Sequence, residues 1–241
     1  MRGTWLIFQR ETKQYFTSPL AYLIAFAFLI ITGLIFNNDL TLSVDVKPAN
    51  PAAVPNFLSF GMIFFAPILT MRLLAEESRE GTLELLLTAP VRDNDIVFGK
   101  FLSAWFYYSV LLALTFSYQF ILISITSPDL GHAISAYIGI WLYGGATIAV
   151  GLLFSSLTEN QVVAAFLSGT TLLFLWLGNI AGQVITDIEM ARIVRTLSLQ
   201  GHFATSFGQG LVRAEDIVYY AGLMAVMLFI TIRIVESHRW R

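Results

Sequence analysis

The sequence contains no cysteine, which excludes disulfides, thiolate metal sites and a cysteine nucleophile. It is also poor in charge: Asp, Glu, Lys and Arg make up 12% of its 241 residues, about half the share of a soluble domain. That scarcity excludes a disordered tail and a coiled coil. The net charge of −2 provides no basic face for nucleic acid. A phosphate-cradling loop is missing as well. Such a loop needs Gly-x4-Gly-Lys-Ser/Thr, but the pair Gly99-Lys100 is followed by Phe101, and Asn94 stands where the first glycine belongs.

What the chain has instead is apolar sequence, 56% of its residues. Charge-free runs long enough to cross a bilayer, about 20 residues each, lie at 19–36, 57–71, 101–125, 134–157, 162–184 and 217–232. The second continues apolar to 74 past Arg72, whose side chain can snorkel. Continuous hydrophobicity predicts helices, since barrel strands alternate polar and apolar residues. The fold class expected is an all-α integral membrane protein of six transmembrane helices, one domain over 1–241, with no room for a soluble catalytic domain. The first run ends in Phe36-Asn37-Asn38 without a small-x-small cleavage site, so it reads as an uncleaved span. Lys100 reads as a snorkelling anchor where the third span begins.

Lys and Arg set the orientation. Cytoplasmic termini place Arg2, Arg10, Lys13, Arg72, Arg79, Arg92, Lys100, Arg233, Arg239 and Arg241 inside, against Lys47, Arg192, Arg195 and Arg213 outside. Residues 37–56, with Pro48, Pro51 and Pro55, read as an extended outer loop. In 185–216, Asp187 is placed to N-cap a short amphipathic helix that Gly201 ends. Phe203 and Phe207 then stand one turn apart, suited to a helix dipping into the outer leaflet before the break at Gly208/Gly210. Residues 4–18 mix aromatics and charges, including Trp5, Phe8, Arg10 and Glu11, as an interfacial amphipathic helix does.

The most informative segment is 75–91. It reads as a charged extension of span 2, a break at Gly81, and a short helix capped by Thr82 and stopped before Pro90. That helix is rich in leucine (Leu83, Leu85, Leu86, Leu87) and ringed by Glu76, Glu77, Glu80 and Glu84. An apolar patch outside the membrane needs a cover, and anionic headgroups suit an acidic ring poorly. From the residues alone it is either a docking element or a surface loop packed on its own bundle.

The run Glu77-x-x-Glu80-Gly81-Thr82-Leu83-Glu84-Leu85-Leu86, with Pro90-Val91 and Ile96-Val97-Phe98-Gly99-Lys100, resembles the signature of ABC-2 type permeases. These are the membrane subunits of ATP-binding-cassette exporters. His202-Phe203, Phe207, Gly210, Asp216 and Tyr219-Tyr220 resemble the sub-branch of gliding-motility-associated and copper-enzyme-maturation permeases. The outer loop 37–56 departs from relatives that carry a large extracellular fold there. The resemblance implies that Glu76, Glu77, Arg79, Glu80, Gly81, Thr82, Leu83 and Glu84 form a cytoplasmic coupling loop seated on a separate ATPase, flanked by the helix bearing Trp5, Phe8, Arg10 and Glu11. It further implies a second six-span subunit, as a homodimer or heterodimer. ATP and Mg would be bound on the partner, with no cofactor or catalysis on this chain. The setting would be the plasma membrane of a prokaryote, and the role export. The alternative is a membrane anchor or scaffold whose ATPase drives assembly or motility without solute transport.

Other features carry plainer readings. Glu76-Glu77-Ser78-Arg79 falls short of the Glu-Glu-x-x-x-Arg spacing of CAAX-processing metalloproteases, its arginine arriving early. His132, His202 and His238 fall in loops or the tail rather than converging as zinc ligands. Gly144, Thr147, Gly151 and Ser155 line one face of span 4, and Gly178-x-x-x-Gly182 marks span 5; both fit helix–helix packing. Gln119, Asn179 and Gln183 either line a path or satisfy neighbouring helices, the second being the commoner role of such amides. Trp105-Phe106-Tyr107-Tyr108 reads as an interfacial anchor. The spans hold no charge, which speaks against ion-coupled transport.

Overall fold

The computed structural model describes residues 2–45, 49–82, 86, 91–185 and 187–238. Among the described residues every regular element is helical. In chain order they are α1 (Arg2–Thr17), α2 (Pro19–Asp45), α3 (Ala53–Thr70), α4 (Ala75–Arg79), α5 (Asp93–Thr115), α6 (Ser117–Ile125), α7 (Leu130–Leu157), α8 (Gln161–Val184), α9 (Ile188–Leu197), α10 (Leu199–Thr205) and α11 (Ala214–His238), with a 3-10 turn at Phe207–Gln209 before α11. Six helical stretches are long and apolar enough to cross a membrane: Pro19–Ser43, Ala53–Arg79, Asp93–Ile125, Leu130–Leu157, Gln161–Gly182 and Ala214–His238.

Helices α3 and α7 form the centre and bury most of their apolar length, while α2, α8 and α11 bury only a small share of theirs. Small residues on α7 make that centre possible. Gly139 receives the Phe207 ring, Gly144 the Tyr108 ring and Gly151 the Thr70 side chain, each so closely that a Cβ would collide. The face of small residues on span 4 is therefore a packing face within the subunit. Gly178 and Gly182 on α8 are likewise covered by Val194, Arg195 and Ser198. In an apolar medium such helices gain further specificity from hydrogen bonds across them. Tyr107 donates to the Ala21 carbonyl, Tyr108 to Ile140, Tyr143 to Ser59 and Tyr137 to Thr115. Tyr107 and Tyr108 are thus buried clamps, not part of an interfacial anchor. Gln119 is buried and donates through Nε2 to the Pro51 carbonyl at 2.9 Å. Asn179 faces Gly201, and the side chain of Gln183 lies outside the described set.

Four expectations from the sequence need correction. Helix α2 runs on to Asp45, because no proline or glycine interrupts 37–45, and α3 begins at Ala53, so among the described residues of the 37–56 stretch only 49–52 lie outside a helix. Helix α5 starts at Asp93, with Asp93 and Asp95 in its first turn where the helix dipole favours acids. Lys100 accordingly lies about two turns inside it. Asp187 does N-cap α9, accepting from the amides of Glu189 and Met190. But α9 closes at Ser198, which caps α10 in turn, and Gly201 lies within α10. Phe203 and Phe207 are 1% and 0% exposed. They fill the holes at Tyr143 and Gly139 rather than facing lipid. The break at Gly210 is present, with φ +85.

Candidate functional site

The residues singled out on both sides of span 2 meet at one end of the bundle. Ser18, preceding Pro19, ends α1, and α1 then folds back along α5. Close approach is possible because Gly99 lies under Ile7; a Cβ there would come within 2.7 Å of the Ile7 Cγ2. Thr4 donates to the Asp95 carboxylate at the far end of the same contact. Trp5 stacks on Phe8 (centroids 5.2 Å apart), and Phe8 meets Phe106 edge-on at 5.7 Å. This packing points Glu11 inward, and it is 4% exposed.

A four-residue ion cluster results. Arg10 Nη2 lies 2.6 Å from both Glu11 Oε1 and Glu77 Oε1. Lys100 Nζ donates to Glu11 Oε1 at 3.1 Å and lies 2.9 Å from Glu77 Oε2, an ion pair without hydrogen-bond alignment. The Lys100 side chain is 1% exposed, so it is no snorkelling anchor. An ammonium at that depth would cost several kcal/mol if left unpaired, and two carboxylates balance it. Burial by itself would raise the Glu11 pKa, but Lys100 and Arg10 outweigh it and hold the carboxyl below its ordinary value. Burial likewise opposes the Arg10 charge, and Glu11 and Glu77 overcome it, raising Arg10. Two cations and two anions leave the cluster neutral. It joins α1, α4 and α5 beside a cleft of about 490 Å³.

A second fastening holds α4 from the other side. The chain breaks between α3 and α4 at Met71–Leu74, and the buried Ser155 of α7 takes up the loose backbone groups. Its Oγ accepts from the amides of Leu74 and Ala75, both at 3.1 Å, and donates to the Met71 carbonyl at 3.2 Å. Arg72 bridges Glu76 at 3.5 Å and Ser18 at 3.4 Å, and Tyr15 donates to the Leu69 carbonyl.

The expected loop residues thus separate into two sets. Glu77 turns inward and leaves the acidic ring; Glu76 is half-buried against Arg72. Arg79, Glu80, Gly81 and Thr82 are exposed. Gly81 breaks the helix with φ +68, which brings Thr82 back to donate to the Glu77 carbonyl at 3.3 Å. Thr82 thereby ties the chain after the break back to α4; Thr82 and Leu86 are helical, and the rest of the short helix expected there lies outside the described residues. Leu83 and Glu84 lie outside the described residues. Leu86 packs against the bundle core, as the surface-loop alternative anticipates for that leucine. Lys100 and Ser155 are the residues sequence reasoning missed as parts of this site. For Lys100 a signal existed: the acidic pair at 93 and 95 marks a helix start, which places the lysine inside the helix.

His132 Nε2 is 2.9 Å from the Gly208 carbonyl, and His202 engages Asp216 and the Thr196 carbonyl. Among the described residues no group of three or more His, Cys, Asp or Glu side chains is placed to hold a metal. Residues 5–234 match the family model described as ABC-2 family transporter protein. No curated protein matches the chain.

Proposed function

The chain belongs to the ABC-2 family of transporter proteins, its match covering all six membrane-length helices, and from that membership we propose that it is the membrane-spanning permease subunit of an ATP-binding-cassette exporter. It forms the translocation path and couples to a separate ATPase, which carries ATP and Mg. Both termini lie in the cytoplasm, following the excess of Lys and Arg on that side. Two six-span subunits and two ATPases make up the working assembly, set in a prokaryotic plasma membrane.

The observation that carries the coupling assignment is the double fastening of α4. Exposed Arg79 and Glu80 extend from a helix whose inner face is locked by Glu77 to α1 and α5 and by Ser155 to α7. A surface loop with no mechanical role has no need of such anchoring. An ATPase groove would meet the exposed charges Arg79 and Glu80 there, whose complements on the partner would fix its register. Displacement of α4 is then passed to the helices fastened to it.

The test is co-purification of the tagged chain in mild detergent. A nucleotide-binding ATPase is expected in stoichiometric amount. Glu80→Lys combined with Glu84→Lys should reduce its recovery at least tenfold while leaving the subunit inserted. Undiminished recovery and ATPase activity in that variant would remove the coupling assignment. No ATPase in several detergents would count against the permease reading as a whole.

A further inference from the structure

At the opposite end of the bundle, His202 of α10 is clamped between two acceptors. Its Nδ1 lies 2.6 Å from Asp216 Oδ1 of α11 and its Nε2 lies 3.0 Å from the Thr196 carbonyl of α9. The ring stacks on Tyr219 at 3.9 Å. A neutral imidazole has one N–H and one lone pair, so beside an ionised Asp216 it can satisfy one of these oxygens and must repel the other. With one further proton, both contacts are satisfied. That holds whether the proton sits on the ring or on the carboxyl, so the proton belongs to the pair.

The surroundings give the proton its consequence. Asp216 is 4% exposed at its side chain, and its Oδ2 has no hydrogen-bond partner, so removing the proton leaves a buried, uncompensated carboxylate. The Thr196 carbonyl belongs to the last turn of α9, where carbonyls lack helical partners and a cation is favoured. Two other carbonyls of the same elbow are held by phenols of α11: Tyr219 donates to Leu197 at 2.8 Å and Tyr220 to Leu199 at 2.9 Å. Three side chains therefore hang the α9–α10 elbow on the bundle, and His202 is the one whose donor count depends on its protonation.

We propose that His202 and Asp216 form a proton-operated latch that fixes the α9–α10 elbow to α11, closed while the pair holds its proton and released when the proton leaves. The titratable groups facing the ring are Asp216, Tyr219 and Tyr220 of α11, with Tyr143 of α7 behind Tyr220. On α9, Arg195 is turned away to the Gly182 carbonyl. The latch depends neither on the orientation in the membrane nor on any partner.

The lack of cysteine makes the test direct. Ile193→Cys on α9 and Val218→Cys on α11, both exposed, carry the only spin labels in the full chain in nanodiscs. Their distance distribution is followed from about pH 5 to about pH 9, bracketing imidazole titration. A narrow population is expected at acid pH, its ratio to a broad one falling tenfold per pH unit above a single midpoint. Asp216→Asn should abolish the pH dependence, and His132→Gln should preserve it. ¹⁵N-imidazole spectra of the chain without substitutions at His202, Asp216 or His132 should show the His202 ring changing in the same step. A distribution unchanged across the range, a dependence surviving Asp216→Asn or lost in His132→Gln, or a His202 signal that does not move would each overturn the proposal.

Discussion

Replacing Lys100 with Met removes the charge of the cluster's deepest member and nearly keeps its volume. Loss of one partner from a buried ion pair costs about 3–5 kcal/mol, mostly because the remaining charge is stranded. Here Glu11, 5% exposed at its side chain, keeps Arg10, and Glu77 at 17% is partly hydrated and also keeps Arg10. The expected loss is accordingly smaller, on the order of 2–3 kcal/mol. The assay is reversible unfolding of the purified chain in mixed micelles, run as a double-mutant cycle with Glu11→Gln. Because Glu11→Gln removes the stranded charge, the double variant should be less destabilised than the sum of the singles by at least about 1 kcal/mol. If Lys100→Met falls within about 0.5 kcal/mol of the parent, as surface substitutions do, then Lys100 reaches water and the buried cluster is wrong.

Acid should open the same junction. The Glu11 carboxyl titrates below its ordinary value in the folded chain, so its contribution is fully present above the unfolded value of about 4.3 and is lost as pH falls through the folded one. Labelling of a single cysteine placed at Ile7, which is 5% exposed, by a pH-insensitive reagent should stay slow at neutral pH and accelerate only below about pH 4; acceleration beginning near neutrality would assign the transition to another group. Ser155→Ala leaves the Leu74 and Ala75 amides and the Met71 carbonyl without their partner, at about 1–3 kcal/mol. Proteolysis near residue 75 should rise correspondingly, and cleavage no faster than in the parent would show that these groups find other partners.

The six spans were legible because runs of about 20 apolar residues have few alternatives to crossing a bilayer. Their ends were not. Polar helix continuous with an apolar run, as at 37–45 and 93–100, has the hydropathy of a loop, so hydropathy alone stops each span where the apolar run stops. The segment 75–91 was legible as acidic and leucine-rich, and its break at Gly81 followed from the glycine. The inward turn of Glu77 was not, because it depends on Lys100 and on Arg10, which sits 67 residues away in sequence. A lysine at the end of an apolar run reads as a snorkelling anchor until the helix covering it is known. Phe203 and Phe207 were misdirected for a similar reason. Their spacing marks one helix face, but whether it meets lipid or protein is decided by Gly139 and Tyr143 on a different helix.

The same dependence on distant partners explains why α4 is held by two different kinds of contact. Ion pairs tolerate changes of distance and angle, since Coulomb attraction falls slowly with separation; hydrogen bonds to backbone amides weaken steeply below about 120°. The links from α4 to α1 and α5 are between full charges, that to α1 also a hydrogen bond, and the link to α7 through Ser155 is of the second kind alone. A small rotation of α4 would therefore be followed closely by α7, the most buried helix of the bundle, while α1 and α5 could lag without losing their attraction. Under the permease reading, motion at α4 reaches the centre of the bundle before it reaches the interfacial helix. On this basis Ser155→Ala should impair coupling more than its modest stability cost implies, whereas Lys100→Met should do the reverse.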